Sequence, residues 1–399
     1  MSMLSVVIPA LNEEKGIGEI IRRVLAVRAR LTEAGIQEME LIVVDDGSRD
    51  RTAEVVSGFD GVRLIQHPAN RGYGAALKTG FSQARGEWLA FLDADGTYPP
   101  ERLPEMCQAA MEAQADVVIG SRMSGESSEM PFTRRLGNRF FAGLLSLVGN
   151  THVADSASGM RVLRREALIQ LYPLPDGLQF TPAMSTRALH EQLKMIEVPI
   201  PYRERVGRSK LSVLRDGARF LKTIIWTALS YNPVRILGLL GLGMLAVAAF
   251  IGLGLVGARV WGITALGSWG VFGAFAALVF GVSGVSVFAL GATFNYLVTL
   301  FHSGAVRQGL FGKPVFNPPL DRHFGWMGLL TGFGGLVLGV ASMALGLNGW
   351  PVARLWLYLL GGALLVLVGL QLLISWIVMR VLEELSQRDA LAARDQVGS

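Results

Sequence analysis

The sequence predicts a doubly wound α/β domain followed by an all-α membrane-spanning domain. Three observations carry this. Short apolar runs alternate with helical patterns through the first 230 residues. Long stretches without a charged side chain fill most of the rest. Charge is unevenly divided: residues 1–235 hold 29 Lys/Arg and 27 Asp/Glu, residues 236–399 only 8 and 5.

The chain of 399 residues leaves room for two or three domains. With 51% hydrophobic and 17% charged residues, a disordered chain and a small disulfide scaffold are excluded. One cysteine, Cys107, admits no intrachain disulfide, which suits a cytosolic soluble domain. The apolar run at 4–11 lacks a basic leader and is interrupted by Pro9, so no signal peptide is expected. The first domain is therefore expected in the cytoplasm. Seven cations (Arg203, Arg205, Arg208, Lys210, Arg215, Arg219, Lys222) face only Glu204 and Asp216 across 203–222. Their place just before the apolar half predicts a juxtamembrane collar on anionic headgroups, with no nucleic-acid partner.

In the first domain, runs at 5–9, 41–44, 88–92 and 116–119 read as buried parallel strands, with helical patterns such as 18–31 and 73–84 between them. Ligands bind beyond the carboxyl ends of such strands. The first strand ends in Pro9-Ala-Leu-Asn-Glu-Glu and the second in Asp45-Asp46-Gly47-Ser48. The third ends in Asp93-Ala94-Asp95-Gly96 and the fourth in Gly120-Ser121-Arg122. Each alone is ordinary turn or helix-cap chemistry. Four in order, each at a strand end, point to a nucleotide, metal or phosphate site. Asp93 and Asp95 can converge on a hard cation such as Mg²⁺ or Mn²⁺, which bridges carboxylates to phosphates and neutralises a diphosphate leaving group.

In the second half, 236–258 is 23 residues without charge, roughly 34 Å as a helix. The 47 residues of 260–306 read as one long helix after an interfacial stretch, with two spans as the alternative. Four spans result, at about 236–258, 268–300, 325–347 and 355–379. Arg307, Lys313, Arg322 and His323 follow the second span, and Arg380 and Arg388 the fourth. The other two loops hold only Arg259 and Arg354, so both termini are expected in the cytoplasm. No span contains Asp, Glu, Lys or Arg, which speaks against a transport pathway.

Two further segments read as interfacial amphipathic helices. One is 134–148, with Phe140, Phe141, Leu144, Leu145 and Val148 on one side and Arg134, Arg135 and Arg139 near its start. The other is 211–231, with Leu211, Leu214, Ala218, Leu221 and Ile225 recurring at helical spacing. The expected organisation is a catalytic domain at 1–230, a transmembrane domain at 231–382 and a cytoplasmic tail at 383–399.

Seven segments taken together resemble family 2 glycosyltransferases with the GT-A fold. They are VVIPALNEE (6–14), VVDDGSRDRT (43–52), NRGYGAALKTG (70–80), FLDADGTYPPE (91–101), GSR (120–122), SGMRVLRRE (158–166) and GRSKL (207–211). Within that family the sequence is most similar to the polyprenyl-phosphate glycosyltransferases of the dolichol-phosphate mannose synthase and GtrB type. The resemblance implies that Pro9, Leu11, Glu13 and Asp46 line a nucleotide pocket with Asp45 beside them, and that Ala94 joins this set. It implies that Asp93 and Asp95 hold Mg²⁺ or Mn²⁺ and the donor diphosphate, with Arg122 near the phosphates. Arg208 and Lys210 would contact the acceptor or donor phosphate. The metal motif of the mannose synthases reads Asp-x-Asp-x-Gln; here Thr97 stands in the Gln place as the third metal ligand.

The implied activity is inverting transfer of one hexose from a UDP- or GDP-sugar to undecaprenyl or dolichyl phosphate on the cytoplasmic face of the cell membrane. The partners are the nucleotide sugar, the polyprenyl phosphate and the bilayer, with a second copy of the chain admitted. The absence of a Gln-x-x-Arg-Trp motif favours transfer of a single sugar. An ionised phosphate acceptor needs no general base. A hydroxyl acceptor does, and Asp155 is the candidate. Two alternatives follow: transfer to a lipid hydroxyl, as in ceramide or diacylglycerol, and a membrane translocator with a vestigial nucleotide-binding domain.

Overall fold

The computed structural model describes residues 2–123, 130–149, 153–202, 213–301 and 320–397. The chain divides into two compact units, Met1–Ala228 and Leu229–Ser399.

The first unit is built on a sheet of seven strands: β1 (Met3–Ala10), β2 (Glu38–Asp45), β3 (Val62–Gln66), β4 (Trp88–Phe91), β5 (Val117–Ser121), β6 (Arg161–Arg164) and β7 (Met195–Pro199). Their order is β3-β2-β1-β4-β6-β5-β7. The α/β class expected from the sequence holds, but the sheet is mixed. β6 runs antiparallel to both β4 and β5, while the other pairs are parallel. Three strands escaped the sequence reading for physical reasons. β3 and β7 are only half-buried along most of their length. β6 is four residues long and bounded by Arg161 and Arg164, and its buried arginine hides the apolar pattern.

Successive side chains of a strand point to opposite faces, and β1 divides its own between two cores. Val6 and Ile8 join Ile17, Ile20, Ile21 and Val24 of α1 (Ile17–Ala26) on one face. Those helix positions repeat at three- and four-residue steps, so one stripe is buried. α2 (Arg28–Glu33) and α3 (Thr52–Ser57) precede α4 (Tyr73–Gln83) in the chain. Val7 meets Ala76, Leu77 and Phe81 of α4 on the other face. α5 (Leu103–Glu112) adds Leu103, Met106 and Cys107 to the first core.

α6 (Phe132–Gly149), α7 (Arg165–Leu171), α8 (Phe180–His190) and α9 (Val213–Tyr231) complete the unit. α6 and α9 are expected to turn apolar faces to lipid; Leu145 of the α6 face is packed instead, and the buried stripe of α9 lies beside the expected one. Leu145 of α6 and Ile224 of α9 are buried with Val153 and Leu189. The Phe141 and Phe220 rings meet edge to face at 5.9 Å. On α9 the buried positions are Asp216, Phe220, Ile224 and Ala228, while Ala218 is exposed and Leu221 and Ile225 are half-buried; Leu211 lies outside the described residues. The outward apolar ridge on α6 shares only Phe140 with the expected face. Phe132, Leu136 and Phe140, one turn apart, are 77%, 57% and 58% exposed.

The second unit contains α10 (Pro233–Val260), α11 (Ser268–Phe301), α12 (Phe324–Leu347) and α13 (Val352–Val397). Among the described residues four stretches are long and apolar enough to cross a membrane: Pro233–Val260, Ser268–Asn295, Leu320–Leu347 and Arg354–Glu384. α10 opens with Pro233, and the Asn232 side chain accepts the Arg235 N–H at 3.2 Å, a proline start joined to an N-cap. Glycine lets these helices approach. A Cβ on Gly241 would lie 2.7 Å from the Gly284 carbonyl, and one on Gly335 2.7 Å from that of Gly362. Large apolar side chains such as Phe250, Phe275 and Phe333 point outward, as lipid contact requires. α13 continues past its apolar stretch, so the expected tail begins as helix.

Candidate functional site

The carboxyl ends of β1, β2, β4 and β5 open on one cavity of about 410 Å³. Of the residues singled out in the sequence, Pro9, Leu11, Glu13, Asp46, Asp93, Ala94, Asp95, Thr97 and Arg122 line it. Asp45 does not. Its Oδ1 accepts the Ser48 N–H at 3.0 Å, and it lines a neighbouring cavity of about 520 Å³. Arg208 and Lys210 lie outside the described residues.

Asp46 is held by three donors. Oδ1 accepts from His67 Nδ1 at 2.7 Å and from the Arg71 N–H at 2.9 Å, and Oδ2 accepts the Gly72 N–H at 2.8 Å. The turn that delivers it needs Gly47, whose φ is +75° and whose added Cβ would lie 2.7 Å from the Asn70 nitrogen.

Asp93 and Asp95 are fixed from different sides. The Tyr73 hydroxyl donates to Asp93 Oδ1 at 2.8 Å. Burial, reinforced by the Asp93 charge, pushes the Tyr73 hydroxyl well above its ordinary pKa, so it remains a proton donor. A Cβ on Gly159 would lie 2.5 Å from Asp93 Oδ2, so only glycine leaves room for this carboxylate. Asp95 Oδ1 accepts both the Thr97 hydroxyl at 2.6 Å and the Thr97 N–H at 3.2 Å. Thr97, expected as a third metal ligand, has its hydroxyl directed at Asp95. Among the described residues no three His, Cys, Asp or Glu side chains gather to hold a metal. Two carboxylates on one cavity fit Mg²⁺ or Mn²⁺ all the same, because such ions take few protein ligands and complete their shell with phosphate oxygens and water.

Arg122 is clamped. Its Nε and Nη2 donate to Asp155 Oδ2 and Oδ1, each at 2.7 Å, and its backbone N–H reaches Oδ2 at 3.0 Å. Its guanidinium lies 5.9 Å from the Tyr98 ring centre and 5.6 Å from that of Tyr202, within cation–π range. Burial alone would lower the Arg122 pKa, but the Asp155 charge reverses this and raises it. Burial alone would raise the Asp155 pKa, but the field and hydrogen bonds of Arg122 hold it below the usual carboxylate range. Asp155 is fully buried and does not line the 410 Å³ cavity. It is engaged as the anchor of Arg122, a poor situation for the general base considered above.

A second cavity, of about 190 Å³, adjoins the first. Tyr73, Asp93, Arg122 and Arg134 line both. Its own walls include Met130, Phe141 and Phe220 together with the polar Thr133, Asn138 and Thr181. Tyr73, Arg134, Asn138 and Tyr202 were not assigned to a site from the sequence. Tyr73 stands inside the NRGYG segment, and Arg134 and Asn138 are one turn apart on α6. Nothing around Tyr202 marks it.

This chain belongs to glycosyl transferase family 2, and within it to the polyprenyl-phosphate glycosyltransferase type. Residues 5–172 match the model for Glycosyl transferase family 2, and residues 233–393 match a Domain of unknown function (DUF8752). The chain is 32% identical to undecaprenyl-phosphate 4-deoxy-4-formamido-L-arabinose transferase from Pseudomonas aeruginosa, over 79% of this chain and 91% of that one. It is 34% identical to a dolichyl-phosphate hexose transferase from Haloferax volcanii, over 56% and 92%. It is 33% identical to the low-salt glycan biosynthesis hexosyltransferase Agl6 of the same organism, over 57% of this chain and about half, 54%, of that relative. Among solved structures it is similar to glucosyl-3-phosphoglycerate synthase from Mycobacterium tuberculosis in complex with Mn²⁺ and UDP-glucose, at 21% identity and TM-score 0.47, covering 57% of this chain and 79% of that one.

Proposed function

We propose that this protein is a membrane-bound, metal-dependent hexosyltransferase. It moves one hexose, with inversion, from a UDP- or GDP-sugar to a polyprenyl phosphate on the cytoplasmic face of the membrane. One observation carries this reading: a cavity at the strand ends that holds the Asp46, Asp93 and Asp95 carboxylates and a largely apolar one beside α6 and α9 share Asp93, Arg122 and Arg134. A nucleotide sugar suits the first and a phosphate on an apolar chain suits the second. The relatives named for undecaprenyl and dolichyl phosphates support the same acceptor.

Asp46 and the 9–13 segment bind the nucleoside. Asp93 and Asp95 would hold the Mg²⁺ or Mn²⁺ ion, which when bound supplies positive charge to the diphosphate leaving group. Arg122 and Arg134 receive the acceptor phosphate. The acceptor phosphate is already ionised, so its oxygen attacks the anomeric carbon directly and the enzyme supplies alignment and charge. The engagement of both Asp155 oxygens by Arg122 supports this over transfer to a lipid hydroxyl. Loop charge supports both termini and the 302–323 connection on the cytoplasmic side.

The test is incubation of purified protein with a panel of nucleotide sugars and undecaprenyl phosphate, with the glycolipid product identified by mass. A product carrying one hexose on phosphate is expected. Products only on ceramide or diacylglycerol would replace this reading with the hydroxyl-acceptor one.

A further inference from the structure

His67 follows the edge strand β3, and nothing in the reaction described above uses it. Its ring is nevertheless fully committed. Nδ1 lies 2.7 Å from Asp46 Oδ1 and Nε2 lies 2.9 Å from Thr79 Oγ1. The side chain is 4% exposed, as is that of Asp46. A buried, satisfied histidine is ordinarily just part of a core. Three features set this one apart.

First, Asp46 lines the 410 Å³ donor cavity, whereas His67 lines the adjoining 520 Å³ cavity. Their contact stands between the two. Second, the donors to Asp46 can be counted. A carboxylate offers about four lone-pair directions. His67 and the Arg71 N–H use two on Oδ1, and the Gly72 N–H uses one on Oδ2. One acceptor direction remains on Oδ2 for a ligand N–H. Third, Thr79 and Tyr73 both lie on α4. That single helix supports Asp46 through Thr79 and His67, and Asp93 through the Tyr73 hydroxyl.

We propose that His67 is a positioning residue of the donor-nucleotide site. It fixes Asp46 so that the remaining acceptor direction meets an N–H on the edge of the nucleotide base. Without the imidazole, Oδ1 loses a donor, the carboxylate is free to turn about its Cβ–Cγ bond, and water from the larger cavity competes for it. The proposal rests on the nucleotide-sugar reading and adds to it a residue that touches no substrate.

The test uses the full-length protein in detergent micelles with Mn²⁺. UDP, GDP, CDP and ADP are titrated as probes, and inorganic diphosphate serves as a probe of the Asp93–Asp95 end alone. For whichever nucleoside diphosphate binds best, His67→Ala is expected to weaken affinity about tenfold or more, as loss of a hydrogen bond to a charged group does. His67→Asn, whose amide can donate from near the Nδ1 position, should recover affinity to within about threefold of wild type. Inorganic diphosphate should bind both variants like wild type. In turnover the loss should fall on the donor KM more than on kcat. Unchanged nucleotide affinity in His67→Ala overturns the role of His67 alone. Equal loss in Ala and Asn variants, or loss of inorganic diphosphate binding in step, makes His67 merely structural and also overturns it. If wild type binds none of the four nucleotides, the donor-site reading itself falls and this role falls with it.

Discussion

Arg122 and Asp155 form a two-point pair, with Nε and Nη2 each 2.7 Å from its own carboxylate oxygen. The Asp155 carboxylate is wholly buried, and the Arg122 side chain is 13% exposed. The contact ties the end of β5 to the chain leading into β6. It also sets a rigid cation where the two cavities meet, beside the Tyr98 and Tyr202 rings. A flexible arginine would lose side-chain entropy on binding a phosphate; this one has lost most of it already.

Removing the anchor should therefore act on acceptor binding and on stability together. Truncating one partner of a buried ion pair costs about 3–5 kcal/mol. Asp155→Ala is expected to unfold at clearly lower temperature and to show a raised KM for polyprenyl phosphate. A general base would behave otherwise: its loss would reduce kcat with stability and KM unchanged. Thermal unfolding and initial rates on the same preparation separate the two.

The same pair predicts a pH dependence. The folded-state Asp155 pKa lies below its unfolded value. Around pH 4, near the ordinary aspartate pKa, the unfolded chain therefore binds more protons than the native one, and stability rises with pH. The contribution is present above that value and is lost as pH falls through the folded-state pKa. The stability gap between wild type and Asp155→Asn should be largest near neutrality and shrink on acidification. A gap constant from pH 6 to pH 3 would reject this account.

The donor half of the site was legible in the sequence because its residues follow buried strands, whose unbroken apolar runs are easy to see. Asp46, Asp93, Asp95 and Arg122 each close such a run. The second cavity was not legible. Arg134, Asn138 and Phe220 come from α6 and α9, far apart in the chain and in patterns that read as amphipathic surface. A helical period tells that one stripe is covered, not by what. For that reason the spacing puts Leu145 in lipid although it packs with Ile224, and it favours Leu221 and Ile225 on α9 although the buried positions lie one residue earlier. Arg161 hid β6 in a similar way. It is fully buried, donates to the Ser156 and Ser158 carbonyls, and burial brings its pKa down to about 10 against the opposing pull of Asp155. A charged residue in that setting contradicts the composition rule that finds strands.

Metal dependence is expected to track Asp93 and Asp95. A chelator should abolish turnover and Mg²⁺ or Mn²⁺ restore it, and Asp95→Asn should remove most activity while leaving the protein folded. Thr97 should behave as the support of Asp95. Thr97→Val deletes the 2.6 Å hydroxyl bond to the Asp95 carboxylate, and loss of a hydrogen bond to a charged group corresponds to roughly a 10- to 150-fold effect. Rate measured against Mn²⁺ concentration tests this. A rise in the metal requirement much beyond that range would make Thr97 a ligand.

Topology can be read with little background. Cys107, the only cysteine, is buried, and burial pushes its thiol up to about 12, so it should resist alkylation. Single cysteines beside Arg259 or Arg354 should be labelled in intact cells by a membrane-impermeant maleimide. Cysteines placed within 307–319 should label only after permeabilisation. The reverse pattern would invert the proposed orientation.

The last prediction concerns how acceptor charge is recognised. Arg134 lies on α6, lines both cavities, and its Nη1 is 3.4 Å from the Tyr202 hydroxyl oxygen. Asn138, one turn further, faces the second cavity only. This arrangement suits a headgroup phosphate whose chain leaves along Phe141 and Phe220. Losing one charged hydrogen bond to phosphate costs about 1.5–3 kcal/mol, or roughly 10- to 150-fold in binding. Arg134→Ala should therefore raise the polyprenyl phosphate concentration needed for half-maximal rate by that order, with the donor KM little changed. Lys210→Ala should act in the same direction if Lys210 meets the acceptor phosphate, one of the two contacts the resemblance implies. Cations that touch only bulk anionic lipid contribute about 1 kcal/mol each, and added anionic lipid offsets their loss. Initial rates in neutral and anionic bilayers separate the two. A defect in Arg134→Ala that persists in both assigns the arginine to the acceptor. A defect cured by anionic lipid assigns it to the membrane surface and removes it from the second cavity's chemistry.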